Sequence, residues 1–219
     1  MIEITRFTAV NNMKQLAQWL TANAVPDYFD SVTISGATAQ TITCTMGDTA
    51  YFTIGHPSAM EINYHLKGKG MPNEVTYRGP DRQGVYFDFI VKTSNGIMLH
   101  ASQGYEGIIT QTDSGGVAFI YTNYAFFYSY NQSGMKHPRI QMVSVENSSE
   151  ATQFPVTSEQ DHGEMETAGM TVTPLYIGTT GDVCPNCFYL HSNQHLGTHG
   201  KFQIDGINYF SNGYIALKE

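Results

Sequence analysis

The seventeen residues Lys201-Phe-Gln-Ile-Asp-Gly-Ile-Asn-Tyr-Phe-Ser-Asn-Gly-Tyr-Ile-Ala-Leu217 constrain the fold more than any other stretch. Asp205-Gly206 is the pair that a two-residue type I′ hairpin requires, because both central positions need positive φ. The turn predicts that Ile204 faces Ile207 and Phe202 faces Tyr209. A three-residue Ser211-Asn212-Gly213 loop, with Gly213 left-handed in a bulge, then pairs Tyr209 with Ile215 and Ile207 with Leu217. Phe202, Ile204, Ile207, Tyr209, Ile215 and Leu217 would share one face, so the segment reads as a core-facing meander.

The rest of the chain carries the same antiparallel signature. Ser94-Asn95-Gly96 repeats the later turn, and its three-residue register sets Phe89, Val91 and Thr93 against Ala101, Leu99 and Ile97. Asp113-Ser-Gly-Gly116 closes a second hairpin, predicting Ile108 opposite Tyr121, Thr110 opposite Phe119 and Thr112 opposite Val117. Val32 and Ile34, then Ile42, Cys44 and Met46, alternate with Ser and Thr at period two. Cys44 therefore reads as a small buried hydrophobe. Tyr51 to Ile54 and Met60 to Leu66 are further strands.

One helix precedes them. Met13, Leu16, Ala17, Leu20 and Ala24 recur at helical spacing, and Pro26 ends the pattern. Asn12 is the expected N-cap, with Gln15 reaching back to it over a helix of about Met13 to Asn23. Trp19 lies at the margin of the apolar stripe and reads as packing.

The 219 residues can bury a sizeable core, and 21 glycines with 12% aromatics fit a folded, turn-rich protein. The fold class is mainly antiparallel β, sandwich-like, with one N-terminal helix and a C-terminal β-meander. Residues 1–140 form a β-rich front module and residues 171–219 a C-terminal β module. Between them, residues 141–170 read as an excursion or linker, rich in Ser, Thr and the acids Glu146, Glu150, Glu159, Asp161, Glu164 and Glu166.

Charge and cysteine usage narrow the function. A formal net charge of −8 opposes binding to a phosphate backbone, so nucleic acid is not an expected partner. The N-terminus lacks a basic start followed by an apolar run, and no window has the length of a membrane span. A cytosol-like compartment without a signal peptide is the expectation. Three cysteines at these spacings do not form a disulfide framework.

Lys67 to Gly84 is rich in Gly and Pro and holds four of the eleven basic residues, Lys67, Lys69, Arg78 and Arg82. It lacks the spacing of a phosphate loop and reads as a solvated loop. Tyr121, Tyr124, Phe126, Phe127, Tyr128 and Tyr130 form either a buried strand or an exposed platform for a glycan. Cys184-Pro-Asn-Cys187, followed by His191, His195 and His199, offers ligands for a structural zinc. The glycine-bearing loop around His195 and His199 is not the helix that would align histidines four apart, and an inert cysteine pair is the competing reading. No Gly-x-Ser-x-Gly elbow or His-Glu-x-x-His helix is present, so no enzyme is expected.

Three stretches resemble a known family. Gly200-Lys-Phe-Gln-Ile-Asp-Gly-Ile-Asn-Tyr-Phe-Ser-Asn-Gly-Tyr-Ile-Ala-Leu217 resembles the ending of phage and prophage virion proteins of gut Firmicutes. Leu175-Tyr-Ile-Gly-Thr-Thr-Gly-Asp-Val-Cys-Pro-Asn-Cys-Phe-Tyr189 is similar to the strand that precedes it there. Gly96-Ile-Met-Leu-His100, with Ile108-Ile-Thr-Gln-Thr-Asp-Ser-Gly-Gly-Val-Ala-Phe-Ile120, is similar to their front hairpin. The resemblance implies a non-enzymatic, tail-type structural protein. It implies other virion proteins and further copies of the chain as partners, and a passage from host cytoplasm into the particle. A carbohydrate-binding module using exposed aromatics is the alternative, and a small zinc-stabilised binding module the second alternative.

Overall fold

The structure is a computed structural model that describes residues 1–8, 12–47, 50–58, 61–67, 74–78, 87–101, 105–111, 117–123, 140–144, 152–154, 171–177, 182–191, 200–211 and 215–219. Strand β1 (Glu3–Arg6) leads into helix α1 (Asn12–Ala24). A five-stranded meander follows: β2 (Ser31–Ser35), β3 (Gln40–Met46), β4 (Ala50–Ser58), β5 (Glu61–Lys67) and β6 (Val75–Arg78). Next come β7 (Phe87–Thr93), β8 (Gly96–Ala101), β9 (Tyr105–Gln111), β10 (Val117–Asn123), β11 (Ile140–Ser144) and β12 (Thr152–Phe154). With β1 beside β7 they make a seven-stranded central sheet. The C-terminal sheet, in the order β13-β14-β17-β16-β15, uses β13 (Thr171–Ile177), β14 (Asp182–His191), β15 (Gly200–Ile204), β16 (Ile207–Ser211) and β17 (Ile215–Lys218). Every pairing is antiparallel.

The central sheet is covered on both faces. Ile90, Ile97, Leu99, Ala101, Ile109 and Val117 pack against the stripe of α1 and the inner side of the meander. On its other face Phe89, Val91, Met98, Ile108 and Ile120 meet Cys184, Cys187, Phe210, Ile215 and Leu217 of the C-terminal sheet. The front and C-terminal parts thus share a core. Two strands also fall in the stretch whose composition suggests a linker, because β11 and then β12 continue hydrogen bonding from β10.

Two-sided burial explains where the predicted registers fail. The Asp205-Gly206 hairpin forms as expected, with φ of 49° and 79° and Phe202 facing Tyr209. The next pairing does not. Phe210 faces Leu217 and Tyr209 faces Lys218, three residues away from the expected register. The prediction assumed one apolar face, whereas Phe210, Ile215 and Leu217 face the central sheet while Tyr209 and Ala216 pack with Leu190 on the opposite side. Ile207 is left 38% exposed.

Both central hairpins are likewise shifted by one residue. Val91 faces Met98, Thr93 faces Gly96, and Ile108 faces Ile120. Alternation fixes register only where one face is wet, and consecutive buried residues such as Ile97, Met98 and Leu99, or Ile108 and Ile109, give no such contrast. Ser94-Asn95 is a two-residue turn held by side chains. Asn95 N donates to Thr93 Oγ1 at 3.1 Å, and Thr110 Oγ1 donates to Asn95 O at 3.0 Å. Gly96 serves packing, since a Cβ there would lie 2.7 Å from Ile109 O and 2.8 Å from Leu217 Cδ1.

The helix forms where its apolar stripe predicts, with Leu16 and Leu20 fully buried. Its cap differs. Asn12 is spent on a tertiary contact: its Oδ1 accepts from Phe87 N at 2.8 Å, and its Nδ2 donates to Phe87 O and, at 3.1 Å, to Thr8 O. Gln15 reaches back to Thr8, whose N donates to Gln15 Oε1 at 3.1 Å. Trp19 is packed at the margin, its Nε1 donating to Thr5 Oγ1 at 3.2 Å.

Candidate functional site on the outer face of the meander

Alternation along β2 to β6 separates two chemistries cleanly. Val32, Cys44 and Phe52 form one inward row, and Ile34, Ile42, Ile54 and Tyr64 another. Outward, the register lines up Thr33, Thr43, Thr53, His65 and Thr76 across all five strands. A parallel row runs Ser31, Thr45, Tyr51 and Lys67. Antiparallel pairing brings such side chains within about 5 Å, so the hydroxyls make a continuous hydrogen-bonding surface. Ser31 Oγ and Thr45 Oγ1 already lie 2.7 Å apart.

A titratable cluster sits at the β5–β6 end of this face. Glu74, just before β6, receives the Tyr51 hydroxyl at Oε2 over 2.7 Å, and its Oε1 lies 2.7 Å from Nδ1 of His65. Thr76 Oγ1 is 3.2 Å from the same nitrogen. When Nδ1 donates to the carboxylate, Nε2 of the neutral ring is left as an acceptor. Partial burial pushes the Glu74 carboxyl up, but hydrogen bonds from Tyr51 and His65, with the His65 and Lys67 charges, outweigh it and hold it below the usual glutamate range. The bond to Glu74, then burial and the carboxylate charge, push the Tyr51 phenol up.

These shifts set a pH window for the cluster. Glu74 is depressed, so its contribution to stability is present above the ordinary glutamate value and disappears as pH falls through its folded value. Tyr51 is raised, so its contribution is present below the ordinary tyrosine value and disappears as pH rises through its folded one. Carbon-13 titration of Glu74 should show a midpoint below that of an unfolded glutamate, and Tyr51→Phe should move it upward. An unchanged midpoint would refute the assignment.

The sequence did not single out this cluster, because Glu74 and β6 lie in the stretch read as a solvated loop. Val75-Thr-Tyr-Arg78, bounded by Pro72-Asn73 and Gly79-Pro80, was the short-strand signal.

The expected zinc ligands are placed differently from one another. Cys184 and Cys187 lie in β14 at an irregularity in its pairing with β13, Cys184 opposite Leu175 and Cys187 within the stretch skipped before Phe188 meets Pro174, and both are fully buried in the apolar layer against the central sheet. His191 ends the same strand, four residues from Cys187 and so about 13 Å along an extended chain. His195 and His199 lie outside the described residues, as do Tyr124 to Tyr130 of the aromatic run and the acidic residues around His162. Among the described residues no group of three or more His, Cys, Asp or Glu is placed to hold a metal ion.

Burial pushes the Cys44 thiol far up, and it does the same to Cys187, aided by the Cys184 charge and opposed by the backbone of Phe188. A thiolate is the reactive form. Native protein should therefore leave all three thiols unmodified by an aromatic disulfide reagent at mildly alkaline pH, and denaturant should release three equivalents. Prompt reaction of any thiol in the native state would contradict this placement.

Among the described residues no helix is long and apolar enough to cross a membrane. No protein-family model, no curated protein and no solved structure matches the chain.

Proposed function

We propose that this protein is a non-enzymatic structural component of an assembled particle, of the phage or prophage virion type, and that its work is contact with other proteins. The observation that carries the reading is the outward face of the meander, where three threonines, a histidine and a fourth threonine run in register across five strands. A broad, regular, hydroxyl-lined sheet surface suits extended hydrogen-bonded contact with another protein. The resemblance of residues 96–100, 108–120, 175–189 and 200–217 to virion proteins supplies the kind of particle.

The test is direct. Particles released on induction of the source strain and banded by density should contain the chain in constant ratio to the major particle proteins. Recovery only in the fraction free of particles would overturn the reading.

A further inference from the structure

Each sheet ends in two edge strands, and an edge exposes a row of unpaired backbone donors and acceptors. Natural sheets blunt such edges with charge, proline or shortness. Five of the six described edges are blunted in this way. Strand β1 carries Glu3 and Arg6, β6 carries Arg78, β13 carries Pro174 and β12 has three residues. Strand β15 carries Lys201, whose Nζ donates to Ile2 O at 3.2 Å.

Strand β2 is the exception. Ser31-Val-Thr-Ile-Ser35 has no charge and no proline, pairs with β3 without a bulge, and is exposed over its last three residues. Ile34 is 39% exposed although its cross-strand neighbour Ile42 is fully buried.

We infer that the outer edge of β2 is a self-association site, where β2 of a second copy pairs antiparallel about Thr33 to join two five-stranded meanders into one ten-stranded sheet. The strand is close to a palindrome. About that centre Thr33 meets Thr33 of the second copy, Val32 meets Ile34, and Ser31 meets Ser35. The β-branched pair extends the inward apolar rows across the junction and covers Ile34. The hydroxyl pairs extend the outward rows.

Backbone pairing is satisfied whichever residues point outward. Opposed positions have the same parity, so an outward-facing residue always meets an outward-facing residue. Charge does not oppose the contact, since Asp30 falls opposite Gly36. The two Asp30 carboxylates stand six residues apart along the junction, about 20 Å, beyond the screening length at physiological salt. A two-fold isologous contact of this kind closes on itself and leaves the hydroxyl face of both copies free for other proteins.

This inference rests on the assembly reading for its purpose, but its test is independent of particles. Sedimentation velocity of the full chain should show a concentration-dependent monomer–dimer equilibrium, and Ile34→Lys should weaken it by about tenfold or more by placing two lysines in the junction. Thr33→Cys should form a disulfide-linked dimer on mild oxidation, because directly opposed residues stand about 4.5–5.5 Å apart, within disulfide range. Ser35→Cys should not, its two copies being about 13 Å apart.

A monomer at every concentration would overturn the β2 contact. So would an oligomer indifferent to Ile34→Lys, or equal cross-linking at positions 33 and 35. None of these outcomes touches the particle experiment, so the contact and the assembly reading fail separately.

Discussion

The Asn12→Ala variant is expected to lose about 2–5 kcal/mol of unfolding free energy, seen as a fall in Tm of roughly 10 °C. Asn12 is 7% exposed, and its amide satisfies both backbone groups of Phe87, where the chain returns to the central sheet. Alanine leaves that N–H and C=O buried without these partners, and the penalty of about 1–3 kcal/mol per group is larger than the small net gain of forming such a bond. Asn12→Asp keeps the acceptor for Phe87 N but loses the donor and buries a charge, so it should destabilise as well. Asn12→Ser, the better residue if the role were helix capping, separates the two explanations. A capping role predicts a near-neutral serine. The bridge to Phe87, 75 positions away, predicts that serine behaves like alanine.

Gly96→Ala should cost about 3 kcal/mol, the upper end of what one added methyl costs in a packed core. Its φ is not in the left-handed region, so the cost is spatial. The new Cβ would meet the Ile109 carbonyl at 2.7 Å and Leu217 Cδ1 at 2.8 Å. Leu217→Ala alone should cost about 2–5 kcal/mol through the cavity it leaves. In the double variant the truncated side chain removes one of the two clashes, while the carbonyl clash stays. The sum should therefore be less than additive by about 1 kcal/mol, measurable by denaturant titration of all four proteins. Strict additivity would show that Leu217 and residue 96 do not press on each other.

What the sequence made legible follows the distribution of water around each strand. In the meander one face is polar, and Val32, Ile34, Ile42 and Cys44 against Thr33, Thr41, Thr43 and Thr45 give both the strands and their sides. The helix stripe from Met13 to Ala24 is legible for the same reason. Asp205-Gly206 is legible because its backbone geometry is local. In β8, β9 and β17 consecutive residues such as Ile108 and Ile109, or Ile215, Ala216 and Leu217, are all buried. Any register then looks acceptable in one dimension, and three-dimensional packing chooses.

The candidate site was half visible. Threonine alternation marks the outward face, but the tie between Tyr51, His65 and Glu74 spans up to 23 positions and depends on pairing that no local pattern reports. Cys184-Pro-Asn-Cys187 shows the opposite case, a conspicuous spacing whose two sulfurs lie in an apolar layer.

The double covering of the central sheet also has a consequence in time. Strands β7 to β10 present Val91, Met98, Ile108 and Ile120 to a layer supplied mainly by β14, β16 and β17. Those covering strands are completed roughly 100 residues after β10, an interval of about 5–20 s at ordinary rates of synthesis. During that interval the emerging chain carries a ready apolar sheet surface with its cover not yet made. Expression yield should accordingly depend on holding chaperones and on low temperature more steeply than the stability of the finished fold would suggest.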